Sequence, residues 1–149
     1  MPTKYKGSPE EIEALNAYIC LMRASDTLNA RLNTFLNSLN LTVSQFGILE
    51  CLYHLGPICQ KAISTKILKS TGNITTVIDN LEKRELVKRV RQKDDRRYIL
   101  IHLTEKGKRI ISEIFPEHAA QVMKQMAILN NTEKKTLRKL CKYIGKQER

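Results

Sequence analysis

The sequence predicts a mainly helical α+β protein, a helix-turn-helix followed by a small β-wing and flanked on both sides by long helices. Three observations predict it. Apolar residues recur at spacings of three and four along most of the chain, the signature of amphipathic helices. The period drops to two in one stretch, "LVKRVRQKDDRRYILIHL" from Leu86 to Leu103, as in a hairpin. Helix-capping tetrads and Gly/Pro stops divide the helical part into short and long pieces. One domain over residues 1–149 is expected, with residues 43–103 as the winged portion and residues 8–36 and 105–146 as flanking helices.

The elements follow in order. Ser8-Pro9-Glu10-Glu11 combines a serine N-cap, proline at the first helical position and glutamate at the third. It opens a helix whose apolar residues Ile12, Leu15, Ile19 and Met22 continue to about Leu36. Thr42 and Gln45 form a second capping box, and Gly56-Pro57 ends the helix they start. A short helix is expected over about Gln60–Lys69, then a turn at Ser70-Thr71-Gly72-Asn73. Ile74, Val77, Ile78 and Leu81 form the narrow apolar stripe of the next helix, which ends near Arg84. Strands are expected at about Val87–Arg91 and Arg97–Leu103 around a polar tip, Gln92–Arg96. Thr104-Glu105 starts a long helix to about residue 129, in which Pro116 should produce a kink or a division. Asn130 to Glu133 restarts the chain into a last helix through Leu137, Leu140 and Ile144.

The net charge of +11 favours nucleic acid, acidic membrane surfaces or acidic proteins as partners, against the plainer alternative that it serves solubility. No apolar run approaches the ~20 residues of a membrane span, and the first residues lack the apolar core of a secretory signal. A cytoplasmic protein without membrane contact is expected. Four cysteines without a Cys-x-x-Cys pair read as reduced, packed thiols.

The helix bearing the Ile74 stripe turns Gly72, Thr76, Asp79 and Lys83 to its other side, flanked by Asn73, Thr75 and Asn80. Short donors and acceptors near a helix N-terminus suit base edges in a major groove; the alternative is an ordinary solvated face. The hairpin separates the two. Lys93, Arg96 and Arg97 sit at its tip with Asp94 and Asp95, and Lys88, Arg89 and Arg91 lie below. A guanidinium at a wing tip can enter a minor groove. A carboxylate beside it can fix its rotamer beforehand through a bidentate contact. Double-stranded DNA is therefore the expected partner, with Ser70, Thr71, Asn73, Thr75, Thr76 and Lys83 on the recognition helix and Arg91, Lys93, Asp95, Arg96 and Arg97 on the wing. A winged helix used for protein contacts is the competing reading.

The stretches "LTVSQFGILECLYHLGP" and "KILKSTGNITTVIDNLEKRELVKRVRQKDDRRYILIHLTEKG" resemble the MarR family of winged-helix transcription regulators. The resemblance covers about half the chain directly, and its most specific pieces are Asp95-Arg96-Arg97 and Leu103-Thr104-Glu105-Lys106-Gly107. It implies that Arg97 enters the minor groove, that Asp95 orients it, that Arg96 contacts phosphate and that the helix beginning near Thr71 reads bases. It also implies a homodimer on a pseudo-palindromic operator, acting as a repressor. The large apolar side chains of the end helices, Ile12, Leu15 and Ile19 with Ile114, Phe115, Met123, Met126, Leu137, Leu140 and Ile144, argue for a dimer independently, against the plainer alternative that the end helices cover the domain within one chain. Glu85 stands where family members commonly have glycine, so either the helix ends differently here or a left-handed residue is tolerated at a cost of about 1 kcal/mol.

The resemblance further implies an effector pocket between the first helix, the dimerisation helices and the winged portion. Tyr18, Arg23, Tyr53 and His54 are its expected lining, and a phenolic or quinone-like small molecule is the expected ligand class. Part of the family resembles thiol sensors; Cys20, with Arg23 one turn on, is the matching candidate, although its register does not clearly follow that branch. Cys51, His54 and Cys59 lack the ligand set of a metal site, so neither metal nor cofactor is expected. No phosphate loop, Ser/His/Asp set or metalloprotease helix points to an enzyme.

Overall fold

The computed structural model describes residues 1–67 and 71–146, with backbone alone at residues 71 and 72. The chain folds as two compact units, Met1–Lys108 and Arg109–Arg149.

The first unit begins with α1, Pro9–Asn37. Its capping box is complete: the Glu11 amide donates to Ser8 Oγ at 3.1 Å, and the Ser8 amide donates to Glu11 Oε2 at 2.7 Å. Of its 29 residues only Leu36 is buried, so most of its apolar stripe faces outward. Asn40, with φ of 56°, turns the chain into α2, Val43–Leu55, capped by Thr42 and Gln45 as the sequence predicts. Phe46, Ile48, Leu49, Cys51 and Leu52 face inward from α2, and Gly56 ends it at φ of 75°, a conformation that suits glycine. Next come β1, Ile58–Cys59, and α3, Gln60–Ile67. The expected continuation of α3 to Lys69, and Ser70 itself, lie outside the described residues.

Helix α4 spans Thr71–Lys83, and Ile74, Ile78 and Leu81 on its stripe have no solvent exposure. They meet the inward side chains of α2, Ile63 of α3 and the sheet residues Val87 and Ile101 in one core. Each fully buried Leu or Ile there contributes about 1.5–3 kcal/mol. Strands β2, Val87–Arg91, and β3, Ile99–Leu103, pair antiparallel with Val87 opposite Leu103 and Arg91 opposite Ile99.

The wing is three-stranded, in the order β1-β3-β2. Ile58 and Cys59 pair with Ile101 and Leu100, adding a strand that the sequence does not announce. Two residues are too few to display a period, so β1 is defined only by its partner. The second wing strand also starts at Ile99 rather than Arg97. Arg97 instead belongs to the turn, where the Tyr98 amide donates to the Asp95 carbonyl.

Helix α5, Glu105–Met126, runs through Pro116 without dividing. The proline removes one hydrogen bond, but its fixed φ is already helical and the bonds before and after it persist. In the second unit, α6 spans Asn131–Gly145, started by a capping box between Asn130 and Glu133. Ile111 and Ile114 of α5 are buried, whereas Met123, Leu140 and Ile144 are more than half exposed.

Candidate nucleic-acid interface

Two elements carry the candidate residues, the first turns of α4 and the tip between β2 and β3. On α4, Asn73, Thr75 and Thr76 are exposed beside the buried Ile74. Lys83 is exposed in the last turn. The Thr75 hydroxyl accepts a hydrogen bond from Gln60 Nε2, which links the start of α3 to the exposed face of α4. Thr71 opens the helix, and its side chain, like Ser70, lies outside what is described.

At the tip, Asp95 grips Arg97 three times. Arg97 Nε donates to Oδ1 at 3.1 Å, Nη2 donates to Oδ2 at 3.0 Å, and the Arg97 amide donates to Oδ1 at 3.0 Å. The Arg97 side chain is nevertheless 90% exposed. A guanidinium is thus held in one orientation while its outer surface stays open. The side-chain bond from Arg97, aided by its amide, lowers the Asp95 pKa below the ordinary aspartate value, and the same contact raises that of Arg97. Arg91 Nη1 donates to the Arg96 carbonyl at 3.3 Å, bracing the tip from the strand below. Lys88, Arg91, Lys93 and Arg96 have no carboxylate within ion-pair distance among the described residues.

In the lower wing one of the basic residues is ion-paired to α4. Arg89 is paired with Asp79 and Glu82 of α4 at 2.7 and 2.9 Å. Arg84 points the other way and donates to the Asn40 carbonyl at 2.7 Å and to Gln45 Oε1 at 3.3 Å, fastening the end of α4 to the turn before α2. These partners lie far from the arginines in sequence, and no spacing signals them.

The Leu-Thr-x-x-Gly stretch has a structural task. The Thr104 hydroxyl donates to the Glu85 carbonyl at 2.6 Å and accepts from the Gly107 amide at 3.0 Å. The Thr104 amide donates to the Leu86 carbonyl at 3.1 Å, and Lys106 Nζ donates to the Arg84 carbonyl at 3.1 Å. A Cβ on Gly107 would lie 2.0 Å from the Leu86 carbonyl oxygen, so only glycine permits this approach. Glu85 itself has φ of 59°, the left-handed one of the two alternatives its position leaves open.

Tyr18 and Arg23 are exposed on α1, and Tyr53 and His54 are exposed on α2. The Tyr53 and His54 rings touch edge to face, 5.1 Å apart. His54 lines a cavity of about 450 Å³ between α2 and α3, together with Val43, Gly47, Cys51, Lys66 and Ile67. Cys20 is exposed on α1. Cys51 is buried, and that burial raises its thiol pKa, opposed in part by Lys66. Among the described residues no three metal-ligating side chains gather, and no helix is long and apolar enough to cross a membrane.

Helices α3 and α4, the latter with an exposed polar face, joined to a basic wing are the arrangement of transcriptional regulators of the winged helix-turn-helix class. The MarR family model matches residues 41–99. The transcriptional regulator MhqR of Bacillus subtilis is 35% identical over 133 residues, which are 89% of this chain and 92% of MhqR. The chain belongs to the MarR family, a family of regulators and not of enzymes. Its fold is shared with AbsC, a MarR family transcriptional regulator from Streptomyces coelicolor, at a TM-score of 0.83 and 23% identity over 96% of both chains. It is shared also with NadR, solved in complex with 4-hydroxyphenylacetate, at a TM-score of 0.77 and 24% identity over 99% of this chain and 100% of NadR.

Proposed function

We propose that this protein is a homodimeric repressor, working in the cytoplasm, that occupies a pseudo-palindromic operator and leaves it when a small molecule binds. The observation that carries the reading is the Asp95–Arg97 pair. A cation oriented by two side-chain bonds, yet 90% exposed, suits insertion into a minor groove with little further loss of side-chain entropy. Asn73, Thr75 and Thr76 then face base edges in the adjacent major groove, and Lys83, Arg91, Lys93 and Arg96 approach phosphates.

The dimer is supported by large apolar side chains left open on the helices outside the winged portion. Tyr18 and Met22 on α1, Met123 on α5, and Leu140 and Ile144 on α6 are each at least 42% exposed, and surfaces of this kind mark interfaces. Two-fold symmetry places two recognition helices on successive turns of one duplex face. The effector class is phenolic or quinone-like; the 4-hydroxyphenylacetate held by NadR, a protein of the same fold, supports it.

The test begins by selecting duplexes from a random-sequence pool with the purified protein and measuring affinity across a salt series. Arg97→Ala should weaken binding severely while leaving the melting temperature in place, and Thr76→Glu should abolish the shift. Affinity unchanged by Arg97→Ala would remove Arg97 from the groove. Failure to bind any duplex would favour a protein-contact module instead.

A further inference from the structure

Arg89 lies in the middle of β2, opposite Ile101 of β3. The sequence groups it with the other wing cations, yet its surroundings are unlike theirs. Nη2 meets Asp79 Oδ1 at 2.7 Å, Nη1 meets Glu82 Oε1 at 2.9 Å, and the Arg89 amide donates to Glu82 Oε2 at 3.2 Å. Its side chain is 25% exposed, against 90% for Arg97. Asp79 and Glu82 are three residues apart on α4 and therefore neighbours on one face. One guanidinium spans both, and the second oxygen of Glu82 takes up a backbone donor of the wing's outermost strand.

We infer that Arg89 is a positioning residue and not a phosphate contact: with Asp79 and Glu82 it locks the wing to the recognition helix, so that α4 and the tip meet a duplex as one body. The inference rests on the DNA-binding reading. It explains why two carboxylates stand on the helix meant to approach a polyanion. Alone they would repel phosphate; bridged by Arg89 they are neutralised and fix the separation between the groove-reading helix and Arg97. The planar fork of arginine can serve two carboxylates at once, whereas a lysine ammonium is a single point of charge.

The decisive variant is Asp79→Ala/Glu82→Ala. Removing two negative charges from a DNA-facing helix should tighten binding if electrostatics alone matters. Loss of the brace should weaken it, by about threefold to tenfold, because ordering of the wing is then deferred to the binding step. Both positions are solvent-accessible and alanine favours helix, so the fold should persist. Arg89→Lys should weaken binding in the same way, since retained charge without the fork does not restore the brace. The logarithmic salt dependence should keep its slope in all these variants, whereas loss of a phosphate contact would reduce its magnitude by about 0.9. Without DNA, hydrogen exchange at the Arg89 amide should accelerate in Glu82→Ala.

Tighter binding by the double alanine variant, full affinity in Arg89→Lys, or a shallower salt slope in Arg89→Met would overturn the inference. Unchanged exchange at Arg89 in a protein that does bind DNA would overturn the brace alone. A wild-type protein that selects no duplex would overturn the DNA-binding reading, and this inference with it.

Discussion

Replacing Gly107 by alanine should destabilise the protein, against the usual direction of that change in a helix. Gly107 is the third residue of α5, where alanine would ordinarily gain up to about 1 kcal/mol in helix propensity. Here the new Cβ would stand 2.0 Å from the Leu86 carbonyl oxygen, 3.0 Å from its carbon and 3.3 Å from Leu103 Cδ2. A relaxed carbon–oxygen contact is about 3.3 Å, so backbone must retreat by more than an ångström. Overpacking of this kind costs about 1–3 kcal/mol. The retreat also pulls the Leu86 carbonyl from the Thr104 amide, now 3.1 Å away, which costs about 1 kcal/mol more. Set against the propensity gain, the net loss is about 2 kcal/mol, or about 4–8 °C in melting temperature for a chain of this length. Thermal unfolding followed by far-ultraviolet circular dichroism at matched protein concentration measures it. An unchanged or raised midpoint would refute the reasoning, because it would mean that α5 does not need to lie so close to Leu86.

Glu85→Gly should be neutral or raise the melting temperature by up to a few degrees, because glycine adopts φ of 59° without the roughly 1 kcal/mol left-handed penalty while the carbonyl bonded by Thr104 stays in place; a clear drop in the midpoint would contradict this. The Asp95 carboxylate, followed by carbon-13 NMR, should titrate below the ordinary aspartate range and move upward in Arg97→Ala. Since its folded pKa lies below the unfolded value, the stability from this contact is present above the unfolded value and is lost as pH falls through the folded one. Binding that depends on the oriented arginine should therefore be insensitive to this group near neutral pH. Cys51 should resist alkylation by iodoacetamide at neutral pH until the protein is denatured, since the thiol is buried and its pKa raised; mass spectrometry of the alkylated peptides reads this directly.

The legible parts of the sequence were those whose physics is local. Ser8 with Glu11 and Thr42 with Gln45 each satisfy helix-end amides within four residues, and the expected starts coincide with the observed ones. The stripe from Ile74 to Leu81 marked the buried face of α4, whereas in β3 Ile101 is buried while Ile99 and Leu103 are half-buried, as Leu100 and His102 of the other face are. Glu85 was readable in part: its place after a helix end left open a different ending or a strained left-handed residue, and the φ of 59° is the second. What failed to show was set by partners distant in sequence. Ile58 and Cys59 become a strand only through Ile101 and Leu100. Arg89 reads as one more cation until Asp79 and Glu82 are placed beside it. Pro116 carries a strong local signal for interruption, yet hydrogen bonds on either side continue the helix. At the candidate site, the Asp95–Arg97 contact was within reach because the partners stand two positions apart, whereas Gln60 and Thr75 stand fifteen apart.

The grip of Thr104, Lys106 and Gly107 on residues 84–86 leaves the root of α5 no slack against the end of α4. A hinge with room for a methyl group would absorb a small tilt; one that excludes even that transmits it. A tilt of the first turn of α5 would therefore be passed on to the end of α4 and not absorbed between them.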